Sequence, residues 1–119
     1  MNNQSQSYSN FLSLKMNKNN KKKVAIITGA AGRIGSVFLN ELIFQNYICI
    51  CLSRNKKSLD ELKKNIPKEK LNNIIWFKFD LMRPKNISTL IKILKKNFKR
   101  IDCLINCAMS SNRGKNFSY

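Results

Sequence analysis

Histidine is absent from the 119 residues, and only 6 acidic side chains stand against 23 Lys plus Arg. Without His, the mixed Cys/His zinc sites cannot be built. The four cysteines fall at positions 49, 51, 103 and 107, so none forms a C-x-x-C pair. No metal is expected, and buried thiols inside apolar runs are ordinary core residues of a reducing, cytoplasmic compartment. No apolar run approaches the roughly 18 residues that a membrane helix needs, which excludes a spanning helix. A secretory signal is also missing. Residues 1–20 are mostly Asn, Ser, Gln and Lys, with no apolar core and no small-residue cleavage site. The first Arg is Arg33, so an Arg-rich transit peptide is excluded too.

What the chain has in surplus is positive charge, formally +17. Clustered Lys and Arg displace counterions from phosphate backbones, which invites a nucleic-acid reading. Composition offers a plainer account: 18 Lys, 17 Asn and 14 Ile make 49 of the 119 residues, and all three have A/T-rich codons. No aromatic–basic stacking motif accompanies the charge, so nucleic acid is not the expected partner. Hydrophobic residues make up 43% of the chain, enough for a packed core and too many for a wholly disordered one.

The apolar pattern repeats one unit. Val24 to Ile27 reads as a strand, followed by a glycine turn and then Ile34, Val37, Phe38 and Leu42 at helical spacing. Tyr47 to Leu52 is a second strand. Leu59, Leu62 and Ile66 form the inner stripe of a second helix, capped by Ser58 and closed before Pro67. Ile74 to Phe79 is a third strand, and Ile87, Leu90, Ile91, Leu94 and Phe98 mark a third amphipathic helix. Ile101 to Asn106 is a fourth strand. Continuous apolar strands alternating with helices imply an α/β fold, a parallel sheet covered on both faces. Right-handed crossovers predict the strand order 3-2-1-4, half of a doubly wound sheet.

The expected organisation is a disordered tail over 1–20, a folded half-domain over 21–109 and an unstructured end over 110–119, with Met16 a candidate start. The fourth strand would be an uncovered apolar edge, an aggregation hazard. Open α/β domains run to roughly 200–250 residues. The chain is therefore expected to be an N-terminal fragment.

The chemistry concentrates at Thr28-Gly29-Ala30-Ala31-Gly32-Arg33-Ile34-Gly35, between the first strand and the first helix. Glycine there permits a tight turn, lets backbone approach a pyrophosphate and allows close helix–strand packing. The helix N-terminus offers free N–H groups and the positive end of its dipole to phosphates. The spacing is T-G-x-x-G-x-x-G rather than G-x-G-x-x-G. Together with Asp80-Leu81 after the third strand and Asp102-Cys103-Leu104-Ile105-Asn106-Cys107-Ala108 at the fourth, it resembles the short-chain dehydrogenase/reductase family over residues 22–109.

That resemblance implies a Rossmann-type sheet and a cofactor site made of Thr28, Gly29, Gly32, Arg33, Ile34, Gly35, Ser53, Arg54, Asp80, Leu81, Asn106 and Ala108. Asp80 matches the family's acid that hydrogen-bonds the adenine. Two departures stand out: Cys107 replaces the second Asn of the D-x-L-I-N-N-A-G segment, and Met109 its Gly. The glycine spacing points to the extended branch of nucleotide-sugar epimerases and dehydratases, and N-x-A to the single-domain branch. The single-domain branch is favoured.

The second strand ends Leu52-Ser53-Arg54-Asn55, with no acid before Asp60. A carboxylate at that point would bind the ribose hydroxyls of NAD, whereas Arg pairs bidentately with a 2′-phosphate. Arg54 and Arg33 therefore favour NADP over NAD. The catalytic Tyr-x-x-x-Lys of the family does not occur, so no catalytic residue is named. The resemblance implies hydride transfer to or from a small carbonyl or alcohol substrate by a full-length, homo-oligomeric protein. A catalytically silent nucleotide-binding remnant is the alternative.

Overall fold

The computed structural model describes residues 22–80 and 82–108. The expected tail, the expected end after position 109 and Leu81 all lie outside the described residues. Strands β1 (Val24–Thr28), β2 (Ile48–Ser53), β3 (Ile74–Lys78) and β4 (Cys103–Asn106) pair in parallel in the order β3-β2-β1-β4. This is the predicted order. Helices α1 (Arg33–Phe44), α2 (Lys56–Lys64) and α3 (Pro84–Asn97) make the crossovers.

Successive side chains of a strand point to opposite faces, and the core divides accordingly. Ala25 and Ile27 of β1 join Cys49, Cys51, Ile74 and Trp76 under α1 and α2. Val24 and Ile26 join Ile48, Ile50, Leu52 and Ile75 under Leu90 and Leu94 of α3. Each fully buried Leu or Ile contributes about 1.5–3 kcal/mol by leaving water. The start of the sheet is clamped by Asp102. Its Oδ2 accepts the Val24 N–H at 2.8 Å, its own N–H donates to the Val24 carbonyl at 2.8 Å, and Arg100 Nε pairs with its Oδ1 at 2.9 Å.

Four local expectations need correction. The face of α1 that meets the sheet carries Gly35, Leu39, Leu42 and Ile43, while Ile34, Val37 and Phe38 stay exposed. Gly35 sets this rotation, because a Cβ there would strike the Gly29 carbonyl and the Ala30 backbone. The cap of α2 is Asn55, not Ser58. The Asn55 side chain accepts the Ser58 N–H at 3.3 Å, the usual reach from outside a helix to its third residue. A 3₁₀ turn over Lys68–Asn73 follows Pro67, where no element was predicted. In α3, Leu90 and Leu94 are buried but Ile87 and Ile91 remain partly exposed, because the helix lies over β1, β2 and β3 rather than β4. Strand ends also move slightly: Tyr47, Phe79, Ile101 and Asp102 flank strands rather than extend them. Leu104 of β4 is accordingly bare, 59% exposed.

Candidate functional site

Beyond Thr28 the chain reverses through Gly29, whose φ of 62° is left-handed. A Cβ at Gly29 would also lie 2.8 Å from the backbone of Cys107 and Ala108, so only glycine fits between β1 and the end of β4. The Gly32 N–H closes the turn on the Gly29 carbonyl at 3.0 Å. Gly32 is the N-cap of α1; no side chain caps it, and the first turn holds no acid. The N–H groups of Arg33, Ile34 and Gly35 therefore lack intrahelical acceptors. They open, with the positive end of the helix dipole, onto a cleft of about 680 Å³.

Gly29, Gly32, Arg33, Ile34 and Gly35 form one wall of this cleft. Leu52, Ser53 and Arg54 come from the end of β2, and Phe79, Asp80 and Met82 from the segment after β3. Cys107 and Ala108 close it from the β4 side. The strand ends are tied together: Ala30 N–H donates to the Leu52 carbonyl at 3.3 Å and Phe79 N–H to the Ser53 carbonyl at 2.6 Å. Ser53 Oγ accepts the Asn55 N–H at 3.3 Å. The guanidinium groups of Arg33 and Arg54 are exposed and make no ion pair or hydrogen bond among the described residues.

Nine of the predicted site residues thus line one cleft. Thr28 and Asn106 do not. Thr28 is 4% exposed, and its hydroxyl bonds Asn106 and the backbone after β4, so this pair frames the cleft from behind. Leu81 lies outside the described residues. Sequence reasoning missed Leu52, Phe79 and Met82 as lining residues, and treated Cys107 only as a departure from a pattern. Their common signal is position: each sits at, or just after, the C-terminal end of a parallel strand, where open α/β sheets bind ligands.

The buried cysteines take no part in the cleft. Burial, with a smaller contribution from Cys103, pushes the Cys49 thiol up to about 12, and burial raises Cys51 well above the thiol range. Among the described residues no cluster could hold a metal ion, and no helix is long and apolar enough to cross a membrane.

The glycine turn, the helix without a side-chain cap and two arginines unpaired among the described residues fit a ligand that carries phosphates. Comparison with known proteins decides the family. The model of the short chain dehydrogenase family matches residues 23–118. The chain belongs to the short-chain dehydrogenase family. Farnesol dehydrogenase of Aedes aegypti is 29% identical over 86 residues, covering 72% of this chain and 35% of that protein. A 3-oxoacyl-[acyl-carrier-protein] reductase of Buchnera aphidicola is 38% identical over 88 residues, covering 73% and 34%. Among solved structures, a short chain dehydrogenase of Leptospira borgpetersenii with bound NAD+ has a TM-score of 0.62 at 27% identity, covering 75% of this chain and 32% of that one. A tyrosine-to-phenylalanine variant of ElxO with NADPH bound has a TM-score of 0.66 at 26% identity, covering 76% and 36%. The chain thus spans about a third of the length of the short-chain dehydrogenases it matches.

Proposed function

We propose that this chain is the cofactor-binding part of an NADP(H)-dependent short-chain oxidoreductase. One observation carries the choice of cofactor: Arg33 and Arg54 flank the cleft without partners among the described residues, and the end of β2 supplies no carboxylate. A 2′-phosphate carries close to two negative charges. Guanidinium groups pair with it, whereas an acid at that place would repel it. The pyrophosphate would rest on the N–H groups of Arg33, Ile34 and Gly35, and Ser53 with Arg54 would take the ribose phosphate. Asp80 would border the base, with Asn106 and Ala108 near the second ribose, held in place by Thr28. When bound, the nicotinamide ring would exchange a hydride with a carbonyl or alcohol. The relatives named as dehydrogenase and reductase support that reaction class, as do neighbours holding NAD+ and NADPH. The free thiols suit a cytoplasmic setting. The full-length form is proposed to be a homo-oligomer acting on a small molecule.

Calorimetry with adenosine 2′,5′-bisphosphate and with 5′-AMP isolates the phosphate that matters. The 2′-phosphorylated compound should bind at least ten-fold more tightly. Equal affinities would refute the assignment of NADP.

A further inference from the structure

Two residues, Arg54 and Asn55, join β2 to α2. Arg54 lines the cleft, whereas Asn55 stands just outside it at the N-cap of α2. Asparagine suits that junction, because its short carboxamide reaches the backbone of the first helical turn.

Asn55 is held from both directions. Its N–H donates to Ser53 Oγ at 3.3 Å. Its carboxamide oxygen accepts the Ser58 N–H at 3.3 Å, and its carbonyl accepts the Leu59 N–H at 3.1 Å. Each of those contacts leads to a fixed point. The Ser53 carbonyl accepts the Phe79 N–H at 2.6 Å, which ties the end of β2 to the segment after β3. Leu59 is 2% exposed and seats α2 on the sheet. The backbone of Arg54 therefore runs between two anchored neighbours. Its guanidinium stays exposed and makes no ion pair or hydrogen bond among the described residues.

We propose that Asn55 is a positioning residue that acts through Arg54 and sets how strongly the cleft prefers a 2′-phosphate. This rests on the NADP reading above. A segment that is already ordered gives up less conformational freedom when its side chain closes on a ligand. Only a 2′-phosphorylated cofactor benefits, because the 2′-phosphate is the group with which the guanidinium pairs. A cofactor without that phosphate still rests on the N–H groups of Arg33, Ile34 and Gly35, which belong to α1.

The test is a pair of titrations of the 119-residue chain, with NADPH and with NADH, followed by nicotinamide fluorescence with far-UV circular dichroism as the folding control. Asn55→Ala removes the capping oxygen. It should weaken NADPH binding about three- to ten-fold and leave NADH within about two-fold. Asn55→Ser supplies a capping oxygen again and should return NADPH to within about two-fold of wild type. Should Asn55→Ala not fold, Asn55→Gly takes its place, since glycine is tolerated at an N-cap yet offers no oxygen, and it should show the same loss. In an Arg54→Ala background, Asn55→Ala should cost less than about two-fold more, because both changes act on one contact. Losses shared equally by NADPH and NADH would mean a merely structural cap and overturn the proposal. So would a serine variant as weak as the alanine one, or losses that add in the double variant. Equal affinities of the wild type for NADPH and NADH would refute the NADP reading and the role of Asn55 together. A wild-type preference for NADPH that Asn55→Ala keeps in full would remove the role of Asn55 alone.

Discussion

The Thr28 hydroxyl donates to the Asn106 carboxamide oxygen at 3.2 Å, joining the end of β1 to the end of β4 across 78 positions of sequence. The Thr28 hydroxyl oxygen in turn accepts the N–H groups of Cys107 at 3.1 Å and Ala108 at 3.2 Å. One buried hydroxyl thereby fixes the β4 wall of the cleft against the glycine turn.

Thr28→Val keeps the shape and removes those bonds. The Ala108 N–H then loses its acceptor, and stability should fall by about 1–3 kcal/mol. Thr28→Ser keeps the hydroxyl, loses one buried methyl and should cost about 1 kcal/mol. Urea midpoints separate the two. Equal losses would show that the methyl matters and the hydroxyl does not.

The glycines of the turn should not behave alike. Gly29→Ala meets both a left-handed φ, costing about 1–2 kcal/mol, and the Cys107–Ala108 backbone. Gly35→Ala drives a methyl into the Gly29 carbonyl. Each should cost at least about 2 kcal/mol. At Gly32 a Cβ would lie 3.3 Å from the Gly29 carbonyl and φ is an ordinary −78°, so Gly32→Ala should cost less than about 1 kcal/mol. Thermal melts of the three variants check the ranking.

The sheet was legible because its cause is local: apolar runs near Val24, Ile48, Ile74 and Leu104 alternate with helical spacing, and crossover handedness orders them. The rotation of α1 was not. Apolar residues surround that helix, so the spacing fits two faces, and the contact of Gly35 with a turn outside the helix selects one. The site divides in the same way. A glycine turn announces itself, since its backbone demands are met within a few residues. Phe79 and Met82 join the cleft only because β3 pairs with β2, which no short stretch of sequence records.

Alkaline pH should destabilise the fold through its buried thiols. Cys49 is raised from about 9 to about 12 in the folded chain by burial. Above pH 9 the unfolded chain loses thiol protons that the folded chain keeps, so stability is full below pH 9 and declines toward pH 12. The slope is at most about 1.4 kcal/mol per pH unit for one thiol. Urea midpoints at pH 8 and pH 10.5 should differ more for wild type than for Cys49→Ala. Identical pH dependence in the two would contradict the assignment.

Arg54→Ala should weaken NADPH binding about 10- to 100-fold, the range for losing hydrogen bonds to a charged group, and leave NADH within two-fold. Lys64→Ala removes a charge outside the cleft, from a side chain paired with Glu61, and should leave both unchanged. Parallel losses for both variants would mean that net charge, not the cleft, attracts the cofactor.

The proposed selection of a 2′-phosphorylated dinucleotide by this cleft is tested by a pair of fluorescence titrations of the chain with NADPH and NADH under one buffer condition. The dissociation constant for NADPH should be at least ten-fold lower than for NADH. Equal constants, or tighter binding of NADH, would contradict it.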